Sequence, residues 1–251
     1  MQPQTLLVLD IETVPDKHHY EGDGFPILPF HQIVAIAFLE AEINRIGAGE
    51  EYILRDLRCG GEPDYDEARL VQGFFQHFER TKPRLVTYNG RTFDLPVLKY
   101  RAMLHGVAAP WLYKGGERFS NYSYRYDTEW HCDLMDILSD FGASRAVKLD
   151  EVSKLLGFPG KFGIEGSQVK GLYEEGRITE IRDYCEADVL NTYLVYLRHK
   201  LHTADLTKEA YNRAVSEIIA FINAEKDARP HLGEFMETWG QASGNRFLID
   251  V

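Results

Sequence analysis

Apolar residues in the first part of the chain fall in short runs that predict β-strands. Leu6 to Leu9 form an uninterrupted apolar run that, with residues 10–13 after it, predicts a buried strand, and residues 33–39 form a second apolar stretch. Residues 51–54 predict a third strand, separated from the second by a turn over residues 44–49. Because the connections are short, we predict that these strands pair antiparallel at one edge of a sheet.

Apolar positions in several later segments recur at steps of three and four residues, the spacing of one helix face. The clearest case before the middle of the chain is residues 66–82, where Pro83 ends the pattern. Further helices are predicted over residues 94–104, 148–156, 178–200 and 206–225, and a short strand over residues 84–88. Strands followed by alternating strand and helix predict an α/β fold, a mixed sheet flanked by helices.

The length of 251 residues suits one large domain with an appendage. We expect residues 1–205 to form that domain. Residues 206–251 are too few for a sizeable core of their own, so we expect a helical C-terminal extension packed on the same domain.

Composition narrows the choice of function class. A net charge of −11 disfavours a protein that coats nucleic acid through a broad basic surface, but it is compatible with acids that bind divalent cations. No apolar run approaches the roughly 20 residues needed to cross a bilayer, so we expect no membrane association. No signal peptide is predicted, and three widely separated cysteines predict reduced thiols in a cytoplasmic protein.

Three groups of residues carry candidate chemistry. Asp10 and Glu12 lie two apart on the first strand, so both carboxylates leave from the same strand face. Asp94 follows a predicted strand in the segment Asn89-Gly90-Arg91-Thr92-Phe93-Asp94 and opens a helix, where a negative charge is favoured. Tyr184 and Asp188 are four residues apart on a predicted helix and therefore share one face. Each pattern alone also fits a structural cap or a solvated acid.

Together and in this order, the three patterns resemble the exonuclease motifs of the DEDDy group of 3′→5′ exonucleases, which have a ribonuclease-H-like fold. The chain is particularly similar to stand-alone bacterial proteins that resemble the proofreading domain of family B DNA polymerases. The resemblance covers roughly residues 5–201. It implies a ribonuclease-H-like mixed five-stranded sheet and a metal-dependent nuclease that hydrolyses phosphodiester bonds from the 3′ end, with single-stranded DNA favoured.

The resemblance also implies the composition of the active site. Asp10, Glu12, Asp94 and Asp188 would bind two divalent ions, Mg²⁺ or Mn²⁺, with Asp10 bridging them, and hard cations of this kind prefer carboxylate oxygens. Tyr184 would orient the attacking water by hydrogen bonding rather than act as a full base. Asn89, Phe93 and Thr13 would contact substrate, with Phe93 stacking on the terminal base.

Two alternatives to this function stay open at the level of sequence. One is a catalytically idle nucleic-acid-binding or polymerase-accessory module with the same fold, and the other is a 3′→5′ exoribonuclease. The expected partners are single-stranded nucleic acid or the 3′ end of DNA, with polymerase or repair proteins acting in trans.

Two further segments allow more than one interpretation. Residues 113–126 mix tyrosines with Lys114, Arg118 and Arg125, which suits either stacking on single-stranded nucleic acid or a structural loop. Lys161, in Pro159-Gly160-Lys161-Phe162-Gly163, could contact a phosphate, but an exposed lysine on a glycine-rich turn is the favoured interpretation.

Overall fold

The computed structural model describes residues 2–22, 24–47, 49–161 and 163–250. Its strands are β1 (Thr5–Pro15), β2 (His31–Ile46), β3 (Gly49–Cys59), β4 (Arg84–Thr87) and β5 (His131–Asp133). Its α-helices are α1 (Glu67–Thr81), α2 (Asp94–Leu104), α3 (Pro110–Lys114), α4 (Leu134–Leu138), α5 (Leu149–Leu155), α6 (Val169–Glu174), α7 (Ile178–His202), α8 (Lys208–Glu225) and α9 (Pro230–Ser243). Short 3₁₀ turns occupy Leu28–Phe30, Asp140–Gly142 and Gly166–Gln168.

The five strands form one mixed sheet in the order β3-β2-β1-β4-β5. β1 pairs antiparallel with β2, and β2 pairs antiparallel with β3, as the short connections predict. On the other side β4 lies parallel to β1, and β5 lies parallel to β4. The predicted mixed sheet with flanking helices is confirmed, and β1 lies at its centre.

Alternating residues of β1 divide the hydrophobic core into two layers. Leu6 and Val8 pack with α7 and α8 on one face of the sheet, whereas Leu7 and Leu9 pack with α1 and α2 on the other. All four side chains are at least 99% buried. A central strand that is apolar on both faces is therefore fixed in position, and so are the polar residues at its end.

Several predicted boundaries need correction. The predicted turn over residues 44–49 is shorter than expected, because β2 runs to Ile46 and β3 begins at Gly49; residue 48 lies outside the described residues. The three-residue strand β5 and the helix α9 were not predicted. β5 is too short to show a periodic pattern, and its character depends on pairing with β4.

A buried arginine joins β4 to the edge of the sheet. Arg84 is fully buried, and its guanidinium donates to both carboxylate oxygens of Glu50 on β3, at 2.6 and 2.8 Å. It also donates to the hydroxyls of Tyr52 and Tyr196, at 3.2 and 3.0 Å, and to the carboxylate of Glu129. This bidentate, charge-assisted network supplies the partners without which a buried charge would be strongly destabilising.

Within the described ranges, no helix is both long enough and apolar enough to serve as a transmembrane segment.

The Arg84–Glu50 pair predicts a pH-dependent contribution to stability. Burial opposes ionisation of Glu50, but the hydrogen bonds and charge of Arg84 outweigh it and lower the pKa of Glu50 to about 2, from 4.5. Because the pKa in the folded state is depressed, the stabilisation is present above pH 4.5 and is lost as the pH falls toward 2. We expect Glu50→Gln to lower the free energy of unfolding by about 3 kcal/mol at pH 7.

Urea denaturation of the wild type and Glu50→Gln between pH 2 and 7 measures this difference, which should shrink across the acid range. Glu51→Gln is the matched control, since Glu51 pairs with Arg213 on the surface, and we expect a change below about 1 kcal/mol. A Glu50→Gln difference that stays constant with pH would contradict the assigned role.

Candidate active site

Two carboxylates leave the end of β1 on the face that packs against α7. Asp10 and Glu12 are half-buried, and the intervening Ile11 points into the opposite core layer. The Asp10 carboxylate lies 3.4 Å from the thiol of Cys185 on α7, which places this end of the strand directly against the helix. The register of β1 against β2 shifts between Glu12 and Thr13, so the regular ladder is interrupted where the acids lie.

Asp94 approaches the same point from the other side of β1. It is the first residue of α2, as predicted, and it is 4% exposed. One of its carboxylate oxygens accepts a hydrogen bond from the backbone N–H of Ile11, at 3.2 Å. The carboxylate of Asp94 is thereby fixed beside the backbone that joins Asp10 to Glu12.

The turn before Asp94 is fixed by a buried acid. Asp133, at the end of β5, accepts hydrogen bonds from the backbone N–H groups of Asn89 at 2.9 Å and Arg91 at 2.8 Å. It also caps α4 through the N–H of Met135. Asn89 has a left-handed backbone conformation with a φ of 72°, which Asn tolerates better than most residues. Asp133 therefore positions the second motif without facing the cleft.

Tyr184 and Asp188 lie one turn apart on α7, and the hydroxyl of Tyr184 hydrogen-bonds to the Asp188 carboxylate. Glu186, between them in sequence, anchors the helix from its other side. It accepts from the N–H of Cys59 at 2.7 Å, from His231 on α9 at 2.8 Å, and from Arg229. This part of α7 is therefore held by both β3 and α9.

Lys161 is exposed, as the interpretation favoured from sequence has it, but it also contacts the third motif. Its ammonium group donates to the Tyr184 hydroxyl and lies 3.5 Å from a carboxylate oxygen of Asp188, although the side chain is about one-third exposed. Its backbone is held by Asp150, which accepts from the Lys161 N–H at 2.7 Å. The neighbouring Phe162 lies outside the described residues. A lysine beside an acid cluster can be recognised only when the loop is folded against α7.

The acids raise one another's pKa. Burial is the largest cause for Asp10, followed by the negative charges of Asp94, Glu12 and Asp188, and its pKa lies well above the ordinary value. Burial and the charge of Asp188 likewise raise the pKa of Glu12. The four carboxylates therefore lie within range of one another's charges.

The remaining two acids of the site have raised pKa values as well. Burial raises the pKa of Asp94 to about 7, against the hydrogen bonds from its own N–H and that of Ile11. Burial also raises the pKa of Asp188, although the positive charge of Lys161 opposes the shift. Four ionised carboxylates this close together and this deeply buried are energetically unfavourable unless cations neutralise their charge.

The donor set fits hard divalent cations. One ligand atom each from Asp10, Glu12 and Cys185 lies within 4.8 Å of the others. Burial raises the pKa of the Cys185 thiol well above its ordinary value, which disfavours the thiolate form that binds metal, and hard cations prefer the carboxylate oxygens. Among the described residues, Lys161 has the only ammonium that forms an ion pair with one of the four carboxylates, so negative charge remains that a cation would neutralise.

A second group, Asp183, Glu186 and His231, has similarly close ligand atoms. Basic side chains already balance the negative charge of this group, since His231 contacts both carboxylates, at 3.1 and 2.8 Å, and Arg229 donates to Glu186. This group therefore fits an internal tether between α7 and α9.

Two of the acids, Asp10 and Asp188, line a cleft of about 700 Å³. Its lining also includes Lys148, Lys154 and Lys161, together with Asp150 and Glu165. A cleft that carries both carboxylates and ammonium groups can accept cations and a polyanion side by side.

The predicted substrate residues occupy two places. Asn89 lines the cleft, where its side-chain oxygen accepts from the Thr92 hydroxyl at 2.5 Å. Phe93 and Thr13 meet around His31, whose ring centroid lies 5.0 Å from that of Phe93 and whose Nδ1 is 2.9 Å from the Thr13 hydroxyl. The hydroxyl of Thr13 therefore already has a partner within the protein.

An exposed aromatic residue next to Phe93 was not predicted. Phe25 is 83% exposed, and its ring lies 6.4 Å from that of Phe93 at an interplanar angle of 27°. It belongs to the loop after β1, in which residue 23 lies outside the described residues. An apolar residue between glycine and proline was the signal available in the sequence, but its proximity to Phe93 depends on the fold.

The tyrosine-rich segment over residues 113–126 contains both buried and exposed aromatic side chains. Tyr122 is 2% exposed and donates to the carbonyl of Pro83 at 2.6 Å, so it is structural. Tyr113, Phe119 and Tyr126 are each at least 60% exposed.

Comparisons with known proteins agree with this architecture. Residues 23–239 match the model of a family described as predicted 3′-5′ exonucleases related to the exonuclease domain of PolB. A DNA polymerase epsilon catalytic subunit of Aspergillus fumigatus is 26% identical over 219 residues, which cover 77% of this chain and 9% of that protein. A DNA polymerase epsilon catalytic subunit of Arabidopsis thaliana is 32% identical over 99 residues, which cover 33% of this chain and 4% of that protein.

A solved structure shows the same fold. The family B DNA polymerase from the archaeon Pyrobaculum calidifontis superposes with a TM-score of 0.52 at 25% identity, covering 79% of this chain and 24% of that chain. The ribonuclease-H-like fold that the sequence implies is therefore confirmed, and the chain corresponds to a minor part of each of these polymerases. It belongs to the family of predicted 3′-5′ exonucleases related to the exonuclease domain of PolB, which assigns it to the 3′→5′ exonucleases as an enzyme class.

Proposed function

We propose that the chain removes nucleotides from the 3′ end of single-stranded DNA by a mechanism that depends on two divalent ions. The observation that carries this proposal is the proximity of four carboxylates from β1, α2 and α7, two of which, Asp10 and Asp188, line an open cleft, with Tyr184 beside them. Acids from three distant parts of the sequence would repel one another at this point. Bound divalent cations would neutralise that repulsion and support hydrolysis of a phosphodiester bond.

Asp10, Glu12, Asp94 and Asp188 would hold the ions, which we propose to be Mg²⁺ or Mn²⁺ because all four donors are carboxylate oxygens. When bound, such ions acidify water for attack on phosphorus and neutralise the developing charge on the leaving 3′ oxygen. Asp10 is affected by the charges of the other three acids, so it would hold the ions together with them.

Tyr184 acts in this proposal as a hydrogen-bond donor. Burial and the charges of Asp188, Glu12 and Asp10 raise the pKa of Tyr184 above its ordinary value of 10, so its hydroxyl keeps its proton at neutral pH. A protonated hydroxyl that contacts Asp188 can orient a water molecule but cannot remove a proton from it.

Lys161 supplies a positive charge at the same carboxylate. In the absence of divalent ions its ammonium group partly neutralises Asp188. Phosphate groups entering the cleft would meet this ammonium together with those of Lys148 and Lys154. We propose that Lys161 gives way to a cation at Asp188 and then contacts the substrate backbone.

We also propose that residues 1–205 form the exonuclease domain and residues 206–251 an extension that stabilises α7. Tyr211 on α8 and Trp239 on α9 belong to the same core layer as α7. Glu186 lies between Tyr184 and Asp188 in the sequence and accepts hydrogen bonds from Arg229 and His231 of the extension. The extension therefore helps to hold the part of α7 that carries Tyr184 and Asp188.

The direct test is digestion of a 5′-labelled single-stranded DNA oligomer by the purified chain with Mn²⁺, beside an RNA oligomer of the same sequence. We expect a ladder that shortens from the 3′ end and a faster reaction on DNA. Faster digestion of RNA would favour the exoribonuclease, and an undigested substrate would favour an idle binding module.

Asp10→Asn and Asp188→Asn should each reduce kcat by about 10³-fold or more, since each removes a ligand from the site that stabilises the transition state. Tyr184→Phe should lower kcat by only about tenfold, because one hydrogen bond is lost while the acids remain.

In EDTA, Asp10→Asn should raise the Tm, because it removes repulsion among buried carboxylates. Near-wild-type turnover in either Asp variant at equal metal concentration would refute the site.

Lys161→Gln should tighten Mn²⁺ binding by about three- to tenfold, because it removes the only ammonium that lies against Asp188 among the described residues. Calorimetric titration with Mn²⁺ at fixed ionic strength measures this change. Lys154→Gln is the matched control, since Lys154 lines the same cleft but pairs with Asp150 at 2.8 Å. Weaker Mn²⁺ binding by the Lys161 variant alone would contradict the proposed competition.

Phe93→Ala should raise KM for a single-stranded oligomer by about tenfold with a smaller change in kcat, as expected when one stacking partner of a base is lost. Steady-state kinetics on one labelled oligomer separates the two constants. Phe119→Ala removes a phenyl group that is 62% exposed elsewhere on the surface and should leave KM unchanged. Equal effects of the two substitutions would exclude a specific role for Phe93.

A further inference from the structure

A groove on the opposite face of the sheet from the acid cluster has the properties of a docking site. It has a volume of about 270 Å³ and lies between α1 and the ends of β2 and β3. Its floor is formed by the side chains of Ile36, Phe38, Leu70 and Phe74, which belong to the core layer on the α1 face. Asp10 and Glu12 face the other layer, so the groove is separate from the active-site cleft.

The groove is lined by arginines in a strongly acidic protein. Arg58, Arg69 and Arg80 line it, and none of its described lining residues is Asp or Glu, although Glu40 hydrogen-bonds to the lining residue His77 at 2.7 Å. The whole chain has 39 acidic and 28 basic side chains. Arg69 and Arg80 form no salt bridge with any described residue, whereas Arg58 pairs with Asp56 at 3.0 Å. Arg80 donates one hydrogen bond, to Nδ1 of His77 at 2.9 Å, and the remaining N–H groups of Arg69 and Arg80 are donors for an anionic ligand.

A glycine in the middle of α1 opens the groove. Gly73 is helical, and a side chain there would meet no neighbouring atom within 4 Å apart from its own helix backbone. Glycine in a helix interior costs about 0.5–1 kcal/mol relative to alanine, so an alanine at this position would be more stable and sterically free. The glycine keeps empty a space that any other residue would begin to fill.

The chemistry of the floor selects among anionic ligands. The ring of Phe38 is covered by the stacked ring of His77 at 5.2 Å and by the guanidinium of Arg58 at 5.3 Å. The guanidinium of Arg69 lies over the ring of Tyr65 at 5.2 Å. Because these aromatic faces are occupied, the groove offers a nucleic-acid base no clear stacking platform. Its volume also falls just below the roughly 300–1,000 Å³ of typical small-molecule pockets.

We propose that this groove binds an acidic peptide segment of a partner protein, which places one aliphatic or aromatic side chain on the apolar floor and its carboxylates against Arg69 and Arg80. An apolar anchor surrounded by charge-assisted hydrogen bonds is a recurrent arrangement at protein interfaces. Exonuclease activity is not required for such binding, and the groove leaves the acid cluster untouched.

The experiment selects ligands from a displayed library of random heptapeptides on immobilised wild-type protein. We expect enriched peptides to carry at least two Asp or Glu residues beside a Leu, Ile or Phe. Synthetic versions, titrated by fluorescence anisotropy, should bind at least about tenfold more weakly to Gly73→Leu and to the double variant Arg69→Gln/Arg80→Gln. Their Kd for the wild type should rise with NaCl concentration.

Matched controls separate the groove from general effects. Gln72→Leu adds the same side chain one position away on α1, outside the groove, and Arg246→Gln removes an exposed arginine elsewhere. Both should change Kd by less than about twofold. Exonuclease turnover should be the same in every variant, which also shows that each is folded.

Three results would overturn the proposal. The selection could enrich no peptide, or it could enrich peptides without acidic residues. Acidic peptides could also bind the Gly73→Leu variant with the same Kd as the wild type. A dT10 oligomer that displaces the peptide, and whose own binding is weakened by Gly73→Leu, would assign the groove to nucleic acid instead.

Discussion

Repulsion among buried carboxylates is the constraint around which this molecule is built. Asp10, Glu12, Asp94 and Asp188 oppose one another's ionisation, yet the fold holds them at one end of β1. No one of them could stay there on a flexible segment, since the repulsion would drive it away. Each is instead attached to a central strand or to a helix that is buried on at least one face.

The rigid supports are themselves tied by buried polar networks. Arg84 joins β4 to Glu50 on β3 and to Tyr196 on α7. Arg101 on α2 donates to Glu67 at 2.7 Å and to Asp16 at 2.7 Å, and Glu67 also accepts from the N–H of Ile33. These networks join the elements that carry the three motifs, so displacing one element would leave buried charges unpaired.

Basic side chains in this acidic protein line two concave surfaces, the active-site cleft and the groove beside α1, where anionic ligands can bind. Lysines line the cleft beside the acids, and arginines line the groove on the opposite face. Acids nevertheless outnumber bases by 39 to 28 over the chain as a whole. Local positive charge in a negative background favours anionic ligands at the groove, and at the cleft it favours phosphate groups once cations neutralise the acids, over nonspecific association along the whole surface.

Sequence alone determined the features that depend on local pattern. The apolar run before Asp10, the helix spacing of α1 and α7, and the i, i+4 relation of Tyr184 to Asp188 follow from periodicity, because strand and helix geometry fix which neighbours share a face. The acids were placed on these elements by the same patterns, and their assignment to one site came from the resemblance of the ordered motifs to those of the DEDDy exonucleases.

Tertiary structure decided what depends on contacts between distant segments. The ammonium of Lys161 meets Asp188 only when its loop folds onto α7, and the ring of Phe25 meets Phe93 only across the end of the sheet. β5 becomes a strand by pairing with β4, and Gly73 opens a groove only because Phe38 and Arg58 lie opposite it. Local periodicity carries no information on such pairs, because each is stabilised by residues far apart in the chain.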